Sequence, residues 1–390
     1  MAVHSVAQWT NGEVGLLMPR ETEARPQAPL RVLELGTGVA APYAGALLAS
    51  LGALVVKLEP PDGDPSRHYP LDDRPLNGTS PLFRYLNVGK ANATLTPARL
   101  QAAAGQWADV ILDSRVRRDV EGFLTERAAA GEFKYASVTA WGFEQNDAGD
   151  IDDELIVQAQ SGVMTLTGDS GGAPLRLPGF QSQFLAGAYT AAGVLASLRE
   201  HGPRVIEVAW VTAIATGAEG SFQRSLSTGV VPPAAGAHPT ASFPAGAFHC
   251  SDGFVVPGTV RHHDWEMQCL LYDQPDLVVD PRFATPAGRA KNHAELVARI
   301  QPWYSKHSRS EIFSQALGVG WACGMVLGAG DALTDAHLHN RQFFGPAFGT
   351  DGQWLAPARL ARGLESYTRP TLNDHGADNA WFDRQIRTSE

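Results

Sequence analysis

The run of apolar segments and glycines between Leu30 and Glu59 constrains this chain more than any other stretch. LRVLEL, residues 30–35, is an apolar run of strand length, and GTGVAA then interrupts it with two glycines. PYAGALLASLG follows with helical spacing and Pro42 near its first turn, before a second strand, ALVVKLE, at 53–59. Strand, glycine turn, helix, strand is a βαβ unit, which requires a parallel sheet and a right-handed crossover. Further strands are predicted at 109–112 and 135–139, with the alanine-rich helical stretch 98–106 before the first of them. They extend the same open α/β sheet. Helical periodicity resumes at 155–164 and 184–200.

At 390 residues the chain exceeds the size at which one core keeps growing, so two domains are expected. Residues 1–28 read as a surface arm and 29–225 as the first part of the large α/β domain. Proline and glycine density in GVVPPAAGAHPTASFPAGAFH marks a linker, placed at 226–246. A small α+β domain, 247–327, opens with a hairpin turning at Asp252 and Gly253 and continues with the helical segments HHDWEMQCLLYD and NHAELVARIQPWYSKH. Residues 328–390 read as a second linker and a C-terminal return to the large domain.

With 31 Lys and Arg against 41 Asp and Glu, the net charge of -10 gives no electrostatic case for nucleic acid or an anionic membrane. A small-molecule or protein partner is expected instead. Cys250, Cys269 and Cys323 are too few and too scattered for a disulfide framework or zinc site, which favours a reducing cytoplasm. The N-terminal stretch lacks a basic region leading into an apolar one, and no run approaches the ~20 apolar residues of a membrane span.

The first βα turn carries a second pattern. Gly36, Gly38 and Ala41 form G-x-G-x-x-A after a strand, with Glu59 about twenty residues further on. By spacing alone this is a dinucleotide fingerprint, with a pyrophosphate at the helix N-terminus and the acid on a ribose hydroxyl. The whole stretch VLELGTGVAAPYAGALLASLGALVVKLEPPDGDPSR, however, resembles the opening block of the class III CoA-transferases, the family of carnitine dehydratase and formyl-CoA transferase. YLNVGKANATL around Lys90, ELIVQAQSGVMTLTG at 154–168, PGFQSQFLAGAYTA at 178–191, GAFHCSDGFVV and DPRFATPAGRAKN at 280–292 follow in the family's order. The resemblance implies a Rossmann-like large domain with an open parallel sheet and a small α+β domain. It also implies two subunits threaded through each other as interlocked rings, with active sites where the large domain of one meets the small domain of the other. The substrates implied are an acyl-CoA and a carboxylic acid, with the coenzyme A thioester as substrate and no separate cofactor.

The same blocks depart from the family where its chemistry lies. In PGFQSQFLAGAYTA the family's attacking aspartate sits four residues before a glycine, and Gln183 holds that position here. A carboxylate can become an anhydride and then an enzyme-bound CoA thioester, whereas an amide oxygen is too poor a nucleophile for either step. Glu154 matches a position that usually bears a carboxylate near the reacting centre. A helix N-terminal acid favoured by the macrodipole accounts for it as well as a chemical role does. Asp169, in the TGDSGG turn, needs no functional explanation. The resemblance assigns CoA contacts to Val39 and Ala40 in the first βα turn. The lysine and arginine that the family often sets beside the adenosine phosphates match Lys90 and Ala91. The asparagine and aromatic after the next strand become Ser114 and Arg115, so Arg115, Arg117 and Arg118 are candidate phosphate ligands from an altered place.

The racemase branch pairs a histidine with an aspartate, and the matching positions, Asp153 and Gln183, lack that couple. His262 and His263 read as solvent-exposed, and the 12 histidines show no H-E-x-x-H spacing, so no metal is expected. No G-x-S-x-G nucleophile elbow occurs. The leading expectation is the nucleophile-lacking subunit of a heteromeric CoA-transferase, with an aromatic-substituted succinate such as benzylsuccinate among the acids such members activate. Its partner would be a related chain carrying the aspartate, or a second copy, in an interlocked dimer or heterotetramer. Two alternatives stand beside it. One is a stand-alone acyl-CoA enzyme of altered chemistry (lyase, racemase or isomerase) with Glu154 as base, and the other is a non-catalytic acyl-CoA-binding protein.

Overall fold

The computed structural model describes residues 29–70, 78–115, 121–143, 152–199, 202, 204–237, 243–258, 261–341, 343 and 372–387. Strands β1 (Arg31–Glu34), β2 (Leu54–Glu59), β3 (Ala91–Thr94), β4 (Val110–Asp113), β5 (Lys134–Thr139) and β6 (Val205–Ala209) form a six-stranded sheet. Their order is β3-β2-β1-β4-β5-β6, and every neighbouring pair is parallel. The four strands expected from the sequence are its centre. The edges, β3 and β6, are additions.

Side chains of a strand alternate between the two faces, so the sheet has two cores. Leu33, Val56, Leu58, Ile111 and Tyr135 pack under Leu100, Ala103 and Ala104 of α3 (Pro97–Gln106) and Leu124 and Ala128 of α4 (Glu121–Ala129). Val32, Val55, Val110, Leu112 and Ala136 face the other way, against Ala44 and Leu48 of α1 (Ala40–Ser50) and Ala191 and Val194 of α6 (Gln181–Ser197). The chain winds outward from β1 to β3, then returns across β1 to β4. The C-terminal ends of β1 and β4 therefore form the switch point, where open α/β sheets bind ligands.

Helix α6 lies directly on α1, and Gly187 sets their distance. A Cβ there would stand 2.6 Å from the Ala40 carbonyl oxygen and 3.2 Å from Tyr43. Gly187→Val is expected to cost about 2–3 kcal/mol by overpacking. The readout is a lower urea midpoint at unchanged slope, and a wild-type midpoint would show that the two helices separate freely.

A second, antiparallel sheet follows in the order β7-β8-β9, from β7 (Phe248–Cys250), β8 (Gly253–Pro257) and β9 (Cys323–Met325). Its hairpin turns at Ser251 and Asp252, with Gly253 already paired to Cys250. Phe248 and Val255 share a separate core with Trp265, Leu296, Ile300, Tyr304 and Ile312 from the helices His262–Leu271, His293–Lys306 and Arg309–Gly318. His262 and His263 lie in the first turn of their helix, exposed and near Glu266.

Residues 372–387 pack on the parallel sheet. Asp378 and Asn379 accept the outward N–H groups of Asn92 and Thr94 at 2.7 and 2.8 Å, which covers the open edge of β3. Phe382 in the helix Asn379–Arg387 meets Trp107 edge to face at 5.0 Å. The N-terminal arm, Arg117 and Arg118, and residues 344–371 lie outside the described residues. Among the described residues no helix is long and apolar enough to cross a membrane, and no His, Cys, Asp and Glu cluster could hold a metal.

Candidate functional site

At the switch point the turn from β1 into α1 needs both of its glycines. A Cβ on Gly36 would lie 2.4 Å from the Ala41 Cβ and 2.6 Å from Ser114 Oγ, and Gly38 has φ +75°. Polar groups pin the turn from three sides. Ser114 Oγ accepts the Thr37 N–H and donates to the Thr37 carbonyl, both at 3.2 Å. Lys57 Nζ donates to the Gly36 carbonyl at 2.6 Å, and the Gly38 N–H points at Asp64 Oδ1 at 3.5 Å.

Gln183 sits over this turn, in the first turn of α6, and is only 7% exposed. Its Oε1 would be 3.7 Å from a Cβ on Gly38, and its Nε2 donates to Glu154 Oε2 at 3.4 Å. Glu154 begins α5 (Glu154–Gln160), but its carboxylate turns to the N-terminus of α6. There it accepts Ser182 N–H at 2.9 Å, Ser182 Oγ–H at 2.6 Å and Gln158 Nε2 at 2.8 Å besides the Gln183 amide. Four donors fill the lone-pair sites of two oxygens, so Glu154 holds the start of α6 and has no site open for a substrate proton. Gln158 extends the clamp, accepting the Leu177 N–H at 2.7 Å. Asp153 caps α5 through the N–H groups of Leu155 and Ile156 at 2.8 and 3.2 Å. Asp169 is exposed in its turn.

Beneath the turn lies a buried charge cluster. Glu34 binds Lys57 at 2.9 Å and Lys90 at 2.7 Å, and Lys57 also binds Asp64 at 2.9 Å. Lys90 completes its donors with the Pro42 carbonyl at 2.7 Å and Asn87 Oδ1 at 3.0 Å. Gly45 makes the space, since a Cβ there would come within 2.2 Å of Glu34 Oε2. Burial pulls both lysines toward the neutral form. For Lys57, Glu34 and Asp64 outweigh it and raise the pKa. Lys90, with Lys57 repelling it and Glu34 shared, is pulled down to about 8.

A match to the model of CoA-transferase family III spans residues 28–375. A succinyl-CoA:mesaconate CoA-transferase of Haloarcula marismortui is 30% identical over 89% of this chain and 93% of its own. A succinyl-CoA:D-citramalate CoA-transferase of Chloroflexus aurantiacus is 27% identical over 93% of this chain and 94% of its own. The chain belongs to CoA-transferase family III. Among solved structures, Rv3272 of Mycobacterium tuberculosis superimposes with a TM-score of 0.76 at 25% identity, over 92% of this chain and 99% of that one.

Within this CoA-transferase fold the positions assigned to CoA differ in what they present. Val39 and Ala40 are fully buried and present no surface to a ligand at this turn. The Lys90 ammonium is enclosed by Glu34, Pro42 and Asn87 and does not reach a phosphate. Arg115 chelates Asp113 through Nε at 2.9 Å and Nη2 at 2.7 Å, a pairing that neutralises its charge locally. The fingerprint acid Glu59 is fully buried, taking Arg67 Nε at 2.7 Å, Arg67 Nη2 at 2.6 Å, the Asp64 N–H at 2.9 Å and the Asn92 amide. Burial alone would raise its pKa, but Arg67, the Asp64 N–H and Lys57 hold it below the usual range. No ribose hydroxyl reaches it. Ser182, Gln158, Lys57 and Asp64 were not singled out from the sequence, because each also acts through a partner distant along the chain: Glu154, Leu177, Glu34 and Gly38 respectively.

Proposed function

We propose that this chain is the nucleophile-lacking subunit of a heteromeric CoA-transferase that moves CoA from an acyl-CoA to a carboxylic acid, such as an aromatic-substituted succinate. One observation carries this reading. An amide, Gln183, stands at the first turn of α6 over the switch-point turn, and the carboxylate brought beside it, Glu154, already accepts from four donors. Neither anhydride nor enzyme thioester can form on an amide side chain. The chain then contributes walls and CoA contacts to an assembly whose attacking aspartate lies on a related chain. The stand-alone reading with Glu154 as base is disfavoured by the four donors that Glu154 accepts.

Co-expression with the aspartate-bearing family member encoded nearest to this chain tests the assembly. Native mass spectrometry is expected to find both chains in one particle of fixed stoichiometry. Independent homomeric particles, with the other chain fully active alone, would contradict the proposal.

A further inference from the structure

Along the face of α6 that borders Gln183 runs a stripe of aromatic rings. Phe180 and Phe184 are four residues apart across the first turn of α6 and so share one face. Tyr69 lies alongside Phe180 at 6.1 Å with an interplanar angle of 17°. Phe184 takes the edge of Tyr43 at 4.8 Å and 83°, and Tyr85 at 6.3 Å and 70°. All five residues are half-buried and none is sealed in the core. Burial raises the pKa of Tyr43, Tyr69 and Tyr85, the last to about 12, so the phenols are neutral at ordinary pH.

Core aromatics would be sealed, and buried tyrosine hydroxyls would have partners. Here the five residues are only half-buried and, among the described residues, no hydrogen bond engages the three hydroxyls. The stripe stands at the C-terminal end of the sheet beside the switch point, where a thioester carbonyl would approach Gln183. Cation neighbours are committed elsewhere: Arg67 to Glu59 and Lys90 to Glu34. An apolar wall with a few polar tips matches a flat, apolar ligand group.

We infer that Tyr69, Phe180, Phe184, Tyr43 and Tyr85 form the acyl subsite and select a CoA thioester whose acyl group carries an aromatic ring close to the carbonyl. This rests on the reading that the chain takes part in CoA thioester binding. Phenylacetyl-CoA and acetyl-CoA isolate the ring, with free CoA as reference, and affinities are measured by calorimetry on the full chain alone and in its assembly.

Phenylacetyl-CoA is expected to bind at least tenfold more tightly than acetyl-CoA. Phe180→Ala and Tyr69→Ala should each erode that ratio at least threefold, with the affinities for acetyl-CoA and CoA unchanged, and the milder Phe180→Leu should erode it less. Equal affinity for the two thioesters, with CoA bound, overturns the subsite and leaves the CoA reading standing. A ratio unmoved by the variants, with altered subunit association, makes the stripe a chain–chain contact and likewise overturns it. Failure of all three ligands, CoA included, overturns the reading on which the inference rests.

Discussion

Replacing Glu34 with glutamine is expected to cost about 3–5 kcal/mol of stability at pH 7, because it strands a buried ammonium. Lys57 keeps Asp64 as counterion, but Lys90 loses its anion and keeps only neutral acceptors, the Pro42 carbonyl and Asn87 Oδ1 among them. Proton linkage gives the loss a signature. In the wild type the Lys90 pKa falls to about 8, below that of an unfolded lysine. Above pH 8 the unfolded state binds more protons at this residue, so its contribution improves as pH rises toward about 10.4. Lys57, with a raised pKa, works the other way: its contribution is full below the unfolded value and fades only above it. In Glu34→Gln the Lys90 pKa falls further, so the penalty is relieved as pH rises. The gap between variant and wild type should narrow from pH 7 to pH 9.5 in urea denaturation, and Glu34→Gln with Lys90→Met should recover part of the loss. A gap equal at both pH values would show that Glu34 contributes packing alone.

Gln183→Asp is expected to fold and to gain little turnover, although it introduces a carboxylate. The new anion would stand near the Glu154 carboxylate, which lies 3.4 Å from the present amide nitrogen. Two close carboxylates raise each other's pKa, and the helix N-terminus offsets only part of that. Attack also requires CoA held within about 3–3.5 Å and donors for the oxyanion, while Lys90 and Arg115 already spend their charge on Glu34 and Asp113. In the assembly, changing the partner chain's aspartate to asparagine should lower kcat at least about a thousandfold, as loss of a nucleophile does. The kinetics of the Gln183→Asp chain alone decide the matter. Substantial turnover would mean an intact pocket lacking only its nucleophile.

Much of the sheet is legible from local pattern. Val32, Leu33, Val55, Val56, Val110, Ile111 and Leu112 are β-branched or leucine residues buried on alternating faces, and glycines stand at the β1–α1 turn, where packing and positive φ demand them. β3 was missed because ANAT has four residues and weak strand propensity. Its stability comes from β2 on one side and Asp378 and Asn379 on the other. β6, VIEVA, did carry a β-branched signal. The helix expected at 155–164 ends at Gln160, just before Gly162 at φ +83°.

The site divides in the same way. Gln183 and Glu154 stand out in their segments, and the structure brings them together. The burial of Lys90 was hidden, because its partner Glu34 lies 56 residues away and only the β1–β2–β3 order joins them. Arg115 was half legible: Asp113 two residues earlier was visible, but not that the strand end turns the two side chains together.

Covalent trapping locates the nucleophile. The isolated chain and the mixed assembly are incubated with phenylacetyl-CoA, quenched with hydroxylamine or borohydride, and mapped by peptide mass. No modified side chain is expected in residues 178–191 of this chain in either sample, and one modified aspartate is expected on the related chain in the assembly. Labelling of any carboxylate on the isolated chain, at Glu154 or Asp169 for example, would contradict the proposed function, because the nucleophile would then have moved within this subunit.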